Sequence, residues 1–545
     1  MAILFFVFVP SFSIRYLSIA NEMTSSIRSY SDKVAAVEQS QPQKNFGDGE
    51  TAPPAEEAHN EQKNDQEEEE GERAAILPND GDGEIIRKEG IPFPLILFNF
   101  IKGLIGAGLL GLPLASKDAG PLYKMISLFC IAIISFYSMS ILVKGAQYHY
   151  TRLKIPFLTF GDLAEESCKV SFGWIKNYGP LAKNIVNIII IVHQFGFCSM
   201  YYLFIASTFK TVFDEEKADN EPKGKDATWF LFILIPIVAL NSIVSMRILS
   251  IMCLIGNVLM ITSLTLILFM LSKIVFTERA HPIPFAMPSA EGFFKASGTI
   301  IVSCLAQTLV LPLENRIKKP SQMLGPFGVL SIGIVISTSI YTIVGFLGYS
   351  AYGEEIQSTV LEHLECVNDK KKLTKLTYII RIARCMSTTA SFMLQMFVIV
   401  GVLWPLLEKR IEKLSRIWKI GIQFVFRAIL VSVCLVISYS INNLAAIIRL
   451  IGVTTGTLLA FVLPAIFDLL TFVPLFRSQN RLREANVRLG INIGIIGFGF
   501  VILVGGLVVN VITMANKEED WKCGGANATA SGSVTATMQS YTTPI

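Results

Sequence analysis

The sequence predicts an all-α polytopic membrane protein, and three observations carry that prediction. First, 52% of the 545 residues are hydrophobic and only 17% are charged, with a mean hydropathy of +0.52. Soluble domains carry about 25% charged residues. Second, the polar residues concentrate in residues 21–90 and 515–545, so the middle is more apolar still. Third, that middle divides into eleven apolar stretches long enough for a ~30 Å hydrocarbon core at ~20 residues each. Helices follow, because lipid offers no partner to an open backbone. This composition excludes a soluble enzyme, a disordered scaffold and a nucleic-acid binder. Nine cysteines show no metal spacing and no CxxC pair, so neither a metal nor another cofactor is expected.

The elements follow in chain order. Met1 to Pro10 is apolar but cannot span, and its nearest cation, Arg15, follows rather than precedes it, unlike a cleaved signal. Residues 1–90 read as a disordered acidic cytoplasmic tail, with four glutamates at 67–70. Within the tail, Glu72-Arg73-Ala74-Ala75-Ile76-Leu77 resembles an acidic dileucine signal, so Ile76 and Leu77 are candidate contacts for sorting adaptors. The transmembrane domain is expected at 91–514. Its spans fall near 92–115, 121–143, 184–208, 228–246, 250–276, 295–313, 326–350, 378–407, 418–440, 443–470 and 489–514. Residues 515–545 form a polar tail outside the cell or in a lumen.

Loop charge sets the expected orientation. Lysines and arginines crowd the loops after spans 2, 6, 8 and 10, among them Arg152, Lys318, Arg410 and Arg481. Acids balance the loops after spans 3 and 7, among them Glu215, Glu216, Glu354 and Glu355. Even-numbered spans therefore end in the cytoplasm. Asn527-Ala528-Thr529, the lone N-x-S/T acceptor, then lies where glycosylation occurs.

Span 1 carries the chemistry. It reads Lys102-Gly103-Leu104-Ile105-Gly106-Ala107-Gly108-Leu109-Leu110-Gly111-Leu112-Pro113. Each interior glycine costs a helix about 1 kcal/mol relative to alanine. Close helix packing is one use for such glycines. Gly106-Ala107-Gly108 followed by Pro113 predicts instead an interrupted helix, the pattern of transporter substrate sites. Freed N–H groups there suit a carboxylate, and freed carbonyls suit a cation, so an amino acid zwitterion meets both.

The same run, continued through Leu114-Ala115, Lys117, Ala119 and Gly120, resembles the first span of the proton-assisted amino acid transporters. These belong to the amino acid/auxin permease superfamily. Leu311-Pro312-Leu313-Glu314-Asn315-Arg316 with Lys318 and Pro320 is similar to the loop after their sixth span. Gln194, Gly196, Phe197, Cys198 and Tyr201 resemble their third, and Asn443, Leu444, Leu450, Gly452 and Pro464 their tenth. The resemblance covers roughly 90–514. It implies a LeuT-like five-plus-five inverted repeat with an eleventh transmembrane helix, spans 1 and 6 being the broken pair. It also implies an amino acid as substrate and a proton as coupling ion.

Three departures bear on coupling and specificity. Asn99 stands where the family usually has histidine. Val302-Ser303-Cys304-Leu305-Ala306 replaces an aromatic-Ala-aromatic-Glu-Gly stretch, and Ile399 and Gly401 replace a proline and a glutamate. The expected substrate lining is Ile105, Gly106, Ala107, Gly108, Tyr201, Ser303, Cys304 and Gln307. The expected coupling or gating residues are Asn99, Lys102, His193 and Glu314, with Asp468 a further charge at a cytoplasmic end. His193 is the one histidine of five inside a span, and the alternative to a proton relay is packing glue. Ser387, Thr388, Thr389 and Ser391 are a hydroxyl cluster that either lines a Na⁺ site or bonds back to its own helix. Cys366 is the expected outer half of a disulfide, with Cys198, matching a family cysteine, or Cys523 as partner.

The function expected is secondary active transport of small neutral amino acids, driven by a proton gradient, at the plasma membrane or a lysosomal or endosomal membrane. The alternatives are an amino acid-sensing receptor that signals through its tail, and a Na⁺-coupled or uncoupled carrier. No nucleotide-binding loop is present, so ATP hydrolysis is not the drive, and no enzymatic activity is expected.

Overall fold

Lipid leaves a backbone group nothing to bond, so apolar runs of this length close their hydrogen bonds within helices. The computed structural model describes residues 87, 90–106, 108–155, 157–214, 226–242, 246–277, 289–356, 375–408, 410–411 and 415–516. All regular elements among them are helical.

The first span is two helices, α1 (Phe93–Leu104) and α2 (Gly108–Ala119). Gly120, with φ 78°, and Pro121 then turn the chain into α3 (Pro121–Leu153). That helix runs ten residues beyond the expected end of span 2, and Lys154 stops it in the left-handed region at φ 55°. The following loop holds a helix that the span count did not anticipate, α4 (Phe160–Val170). Its start is a capping box: the Thr159 side chain accepts from the Asp162 N–H while the Asp162 side chain accepts from the Thr159 N–H. Lys183 of the next helix ties α4 down through Asp162 at 2.7 Å and Glu165 at 3.5 Å.

There follow α5 (Gly179–Asp214), α6 (Asp226–Asn241) and α7 (Met246–Thr277). The sixth span is again two helices, α8 (Ala290–Cys304) and α9 (Gln307–Glu314). Ser289 caps α8 by accepting from the Gly292 N–H at 3.0 Å. Then come α10 (Val329–Tyr352), α11 (Lys375–Glu408) and α12 (Arg416–Ile441). The tenth span starts as α13 (Leu444–Ile451), widens into π-helical turns at Gly452–Gly456 and Leu458–Val462, and ends as α14 (Leu463–Ser478). The last helix is α15 (Leu482–Ala515).

Among the described residues nine helices are long and apolar enough to cross a membrane, and ten if the bent α1–α2 pair is one span. The stretch expected at 228–246 appears as α6, of 16 residues. At 1.5 Å per residue it reaches about 24 Å, short of a full hydrocarbon core.

Burial sorts the helices. The apolar stretch of the α8–α9 span is 78% buried in the protein, against 22% for α12 and 28% for α15. α12 and α15 present Val425, Ile429, Val436, Val501, Val504 and Val508 outward, as lipid-facing helices do. The interior is built around the two interrupted spans, which pack on each other, on α3 and on the tenth span.

Candidate functional site

The α1 helix ends where its glycines begin. Ile105 leaves the helical region at ψ 73°, and the Gly106 N–H folds back to the Leu104 carbonyl at 2.7 Å. The chain resumes at Gly108, bent by 47°. Ala107, inside the break, lies outside the described residues. The first N–H groups of α2 have no carbonyl of their own helix to bond, and they carry the positive end of its dipole.

The second interruption lies directly against the first. The α8 helix ends at Cys304, Leu305 is extended at ψ 106°, and α9 begins at Gln307. No glycine marks this break. Its signal is carried instead by Gln307, whose Oε1 accepts from the Ala306 N–H at 3.0 Å while its Nε2 donates to the Ala460 carbonyl at 3.3 Å. The side chain thus holds the N–H that precedes its own helix and fastens that helix to the widened tenth span. Gly108 is the contact between the breaks: a Cβ there would stand 2.7 Å from Ser303 Oγ and 2.9 Å from Ser303 N. A Cβ on Gly106 would make ordinary contact with the Leu104 carbonyl at 3.8 Å and the Tyr201 hydroxyl at 3.9 Å.

These contacts bring Gly106, Gly108, Tyr201 and Ser303 together. Ile105 and Cys304 are buried beside them. Ser303 Oγ is turned to its own helix, donating to the Thr299 carbonyl at 2.9 Å. Tyr201 is buried on α5.

The residues expected to couple or gate are more dispersed. His193 lies two turns before Tyr201 on α5 and is buried, its Nδ1 2.9 Å from Thr455 Oγ1 in the first π turn. Its ring packs edge-on against Phe197 at 4.8 Å. Asn99 and Lys102 are half-buried on α1, and Lys102 comes within electrostatic reach of Cys253 on α7. Glu314 is at the far end of α9 and fully buried. Tyr150 donates to its Oε1 at 3.0 Å, Gln147 reaches the same oxygen at 3.4 Å, and Arg87 pairs with Oε2 at 3.6 Å. The backbone joins in: the Arg87 N–H bonds to the Lys318 carbonyl at 2.9 Å and the Ile91 N–H to the Arg316 carbonyl at 2.7 Å. One end of the broken pair is thereby tied to the segment that precedes α1.

At the end of α2 stands a pair that the sequence reading did not single out. Arg449 Nη2 of α13 meets Asp118 Oδ2, at the end of α2, at 2.6 Å. Gly298 of α8 lies against the backbone of Arg449 and Gly452, so close that a Cβ on either glycine would collide with main chain. Asp468 is instead a bracket between α14 and α15, meeting Arg488 Nε at 2.9 Å and Asn492 Nδ2 at 2.6 Å.

Thr389 and Ser391 donate to carbonyls one turn back in their own helix, at 2.9 and 3.2 Å. Cys198 is buried and free. Its helix continues to Asp214 rather than ending early. Cys366, Cys523, Asn527, Ile76 and Leu77 lie outside the described residues.

The family model "Transmembrane amino acid transporter protein" matches residues 93–511, and the chain belongs to that family. It is similar to the probable amino acid transporter skat-1 of Caenorhabditis elegans, 25% identical over 446 residues, covering 81% of this chain and 92% of that one. It is also similar to the proton-coupled amino acid transporter-like protein pathetic of Drosophila melanogaster, 25% identical over 405 residues, covering 73% and 81%. Both are transporters rather than enzymes. Among solved structures, a Na⁺-coupled sialic acid symporter in a substrate-bound outward-open state matches with TM-score 0.40 and 11% identity, over 78% of this chain and 98% of that one. Mhp1, a nucleobase-cation-symport-1 family transporter in a closed conformation with bromovinylhydantoin bound, matches with TM-score 0.44 and 10% identity, over 78% and 92%.

Proposed function

We propose that the chain is a secondary active carrier of small neutral amino acids that works by alternating access and draws on a proton gradient. The observation that carries this reading is the crossing of the two interrupted spans at Gly108 and Ser303, beside Gly106 and the Tyr201 hydroxyl. The α2 N-terminus offers N–H groups to a carboxylate, and the carbonyl ends of α1 and α8 face an ammonium. The tight Gly108–Ser303 contact and the small side chains of Ser303 and Cys304 favour a small solute.

Alternating access is supported by the two closures. Arg87–Glu314 shuts one end and Asp118–Arg449 the other, each joining a broken span to a neighbouring segment. Opening one while the other holds would expose the site to one side at a time. Residues 1–90 are assigned as a cytoplasmic tail, 91–514 as the carrier and 515–545 as an outer tail, glycosylated at Asn527. On that orientation Arg87–Glu314 is the cytoplasmic gate. The membrane is the plasma membrane or that of a lysosome or endosome. His193 is the proposed proton site, since it links α5 to the π turn beside the break.

A second reading, an amino acid sensor, draws on one observation: the tail ends at Arg87, which bonds directly to the buried Glu314. Uptake of a radiolabelled amino acid panel into proteoliposomes decides between them. Saturable accumulation is expected, and saturable binding without accumulation would establish the sensor instead.

A further inference from the structure

Four arginines fall where the tenth span turns into the last helix: Arg477, Arg481, Arg483 and Arg488. The turn itself is firmly built. Its N–H groups close back on α14: Gln479 to the Leu475 carbonyl at 3.2 Å, Asn480 to Arg477 at 3.1 Å and Arg481 to Phe476 at 2.9 Å. Asn480 reverses the chain at φ 59°, in the left-handed region. Two of the arginines have carboxylate partners. Arg481 forms a fork with Glu484 at 2.8 and 2.6 Å, and Arg488 meets Asp468 at 2.9 Å. Their guanidinium groups lie 4.8 and 5.3 Å from the Phe476 ring, and that of Arg488 lies 4.2 Å from Phe472. Arg477 and Arg483 are exposed, and among the described residues no carboxylate lies within ion-pair reach of either. What they face follows from α15. Arg483, Val487 and Ile491 stand at i, i+4 and i+8, on one face of that helix. Val487 and Ile491 are exposed, on a helix whose apolar stretch is only 28% buried. The stripe therefore runs from a cation at its head to apolar side chains turned toward lipid. On the orientation proposed above, the turn lies at the cytoplasmic leaflet, where anionic lipids concentrate. Orientation alone accounts for cations in such a loop. It does not require that two of them be held unpaired on a rigid turn above an open apolar flank.

We propose that the α14–α15 turn is a binding site for an anionic phospholipid, with Arg477 and Arg483 taking its headgroup phosphate and Val487 and Ile491 flanking an acyl chain. A planar guanidinium matches a phosphate with two parallel hydrogen bonds. The Arg481–Glu484 fork and the Arg488–Asp468 pair fix the two sides of the turn, so little order is lost when the headgroup docks. A neutral headgroup gives the two unpaired guanidinium groups no counter-charge. The site lies outside the crossing of the interrupted spans and is independent of what the chain carries.

The test is native mass spectrometry of the full chain in detergent, titrated with dioctanoyl phosphatidylinositol 4-phosphate and with dioctanoyl phosphatidylcholine. The wild type should bind the anionic lipid at least about 10-fold more tightly than the neutral one. Arg477→Gln combined with Arg483→Gln should weaken the anionic lipid about 30-fold, the effect of two cations at a membrane surface, and leave phosphatidylcholine unchanged. Lys154→Gln combined with Lys176→Gln removes two exposed cations from the loop after span 2 and should leave both affinities at the wild-type values. Equal weakening by the two pairs would reduce the site to diffuse surface charge and overturn the proposal. Unchanged affinity in the arginine pair would overturn it as well. If that double variant does not fold, Arg477→Gln and Arg483→Gln alone should each weaken binding about 5-fold, and wild-type affinity in both overturns the proposal. Inositol 1,4-bisphosphate, the headgroup without its chains, separates a lipid from a free phosphate ester. It should displace the lipid only at a concentration at least about 10-fold higher, since it lacks the apolar contact. Displacement at equal concentration would overturn the assignment to a lipid.

Discussion

At the residue scale, Gly108 is the tightest constraint on the site. The two interrupted spans meet there with no room for a side chain, since a Cβ would press on both the side chain and the backbone of Ser303. Overpacking of this kind costs about 1–3 kcal/mol, and here the cost falls on the separation of the breaks. Gly108→Val is expected to cut uptake to below about a tenth of wild type, because a shift of that order misplaces the binding groups. Surface expression should be preserved, and normal uptake by this variant would show that the crossing is not the site. The glycine signal was legible in the sequence because a helix in lipid has few reasons to carry Gly106, Gly108, Gly111 and Pro113 together.

At the element scale, the sixth span and the tenth show where reading a sequence stops short. The sixth has no glycine at its break, so only its resemblance to relatives pointed there. The structure makes the interruption through Gln307, which holds the N–H that precedes α9 and the Ala460 carbonyl. The tenth span reads as one apolar run, yet it is wound wide at two successive π turns, and Thr457 Oγ1 bonds to the Gly452 carbonyl at 2.9 Å within the first of them. Such turns often occur at functional positions, and this one holds Thr455 against His193. The Asp118–Arg449 pair lies between elements that are remote in sequence, so no local pattern announces it. Removing one member strands a largely buried charge, at a cost of about 3–5 kcal/mol. Asp118→Asn and Arg449→Gln should each lower transport strongly, and the exchange Asp118→Arg with Arg449→Asp should recover part of it. Additive losses in the double variant, measured by uptake at equal surface expression, would contradict the gate.

On the scale of the whole molecule, the membrane class and nearly all of the helices follow from the apolar runs alone. Two features do not. The α4 helix is too polar to register as a span and is set by the Thr159–Asp162 capping box and by Lys183. The α6 helix is shorter than its apolar stretch suggested. Fold and proposed function meet in one arrangement: two interrupted spans crossing at the centre, with an ion pair toward each end. The claim that this arrangement converts a proton gradient into accumulation is tested most directly by imposing an inward-directed proton gradient on proteoliposomes. The labelled amino acid inside is then measured with and without a protonophore, for wild type and His193→Ala. The account predicts saturable accumulation above the external concentration that the protonophore abolishes and His193→Ala reduces to simple equilibration. Labelled amino acid that stays bound and never exceeds the external concentration, whatever the gradient, would contradict it.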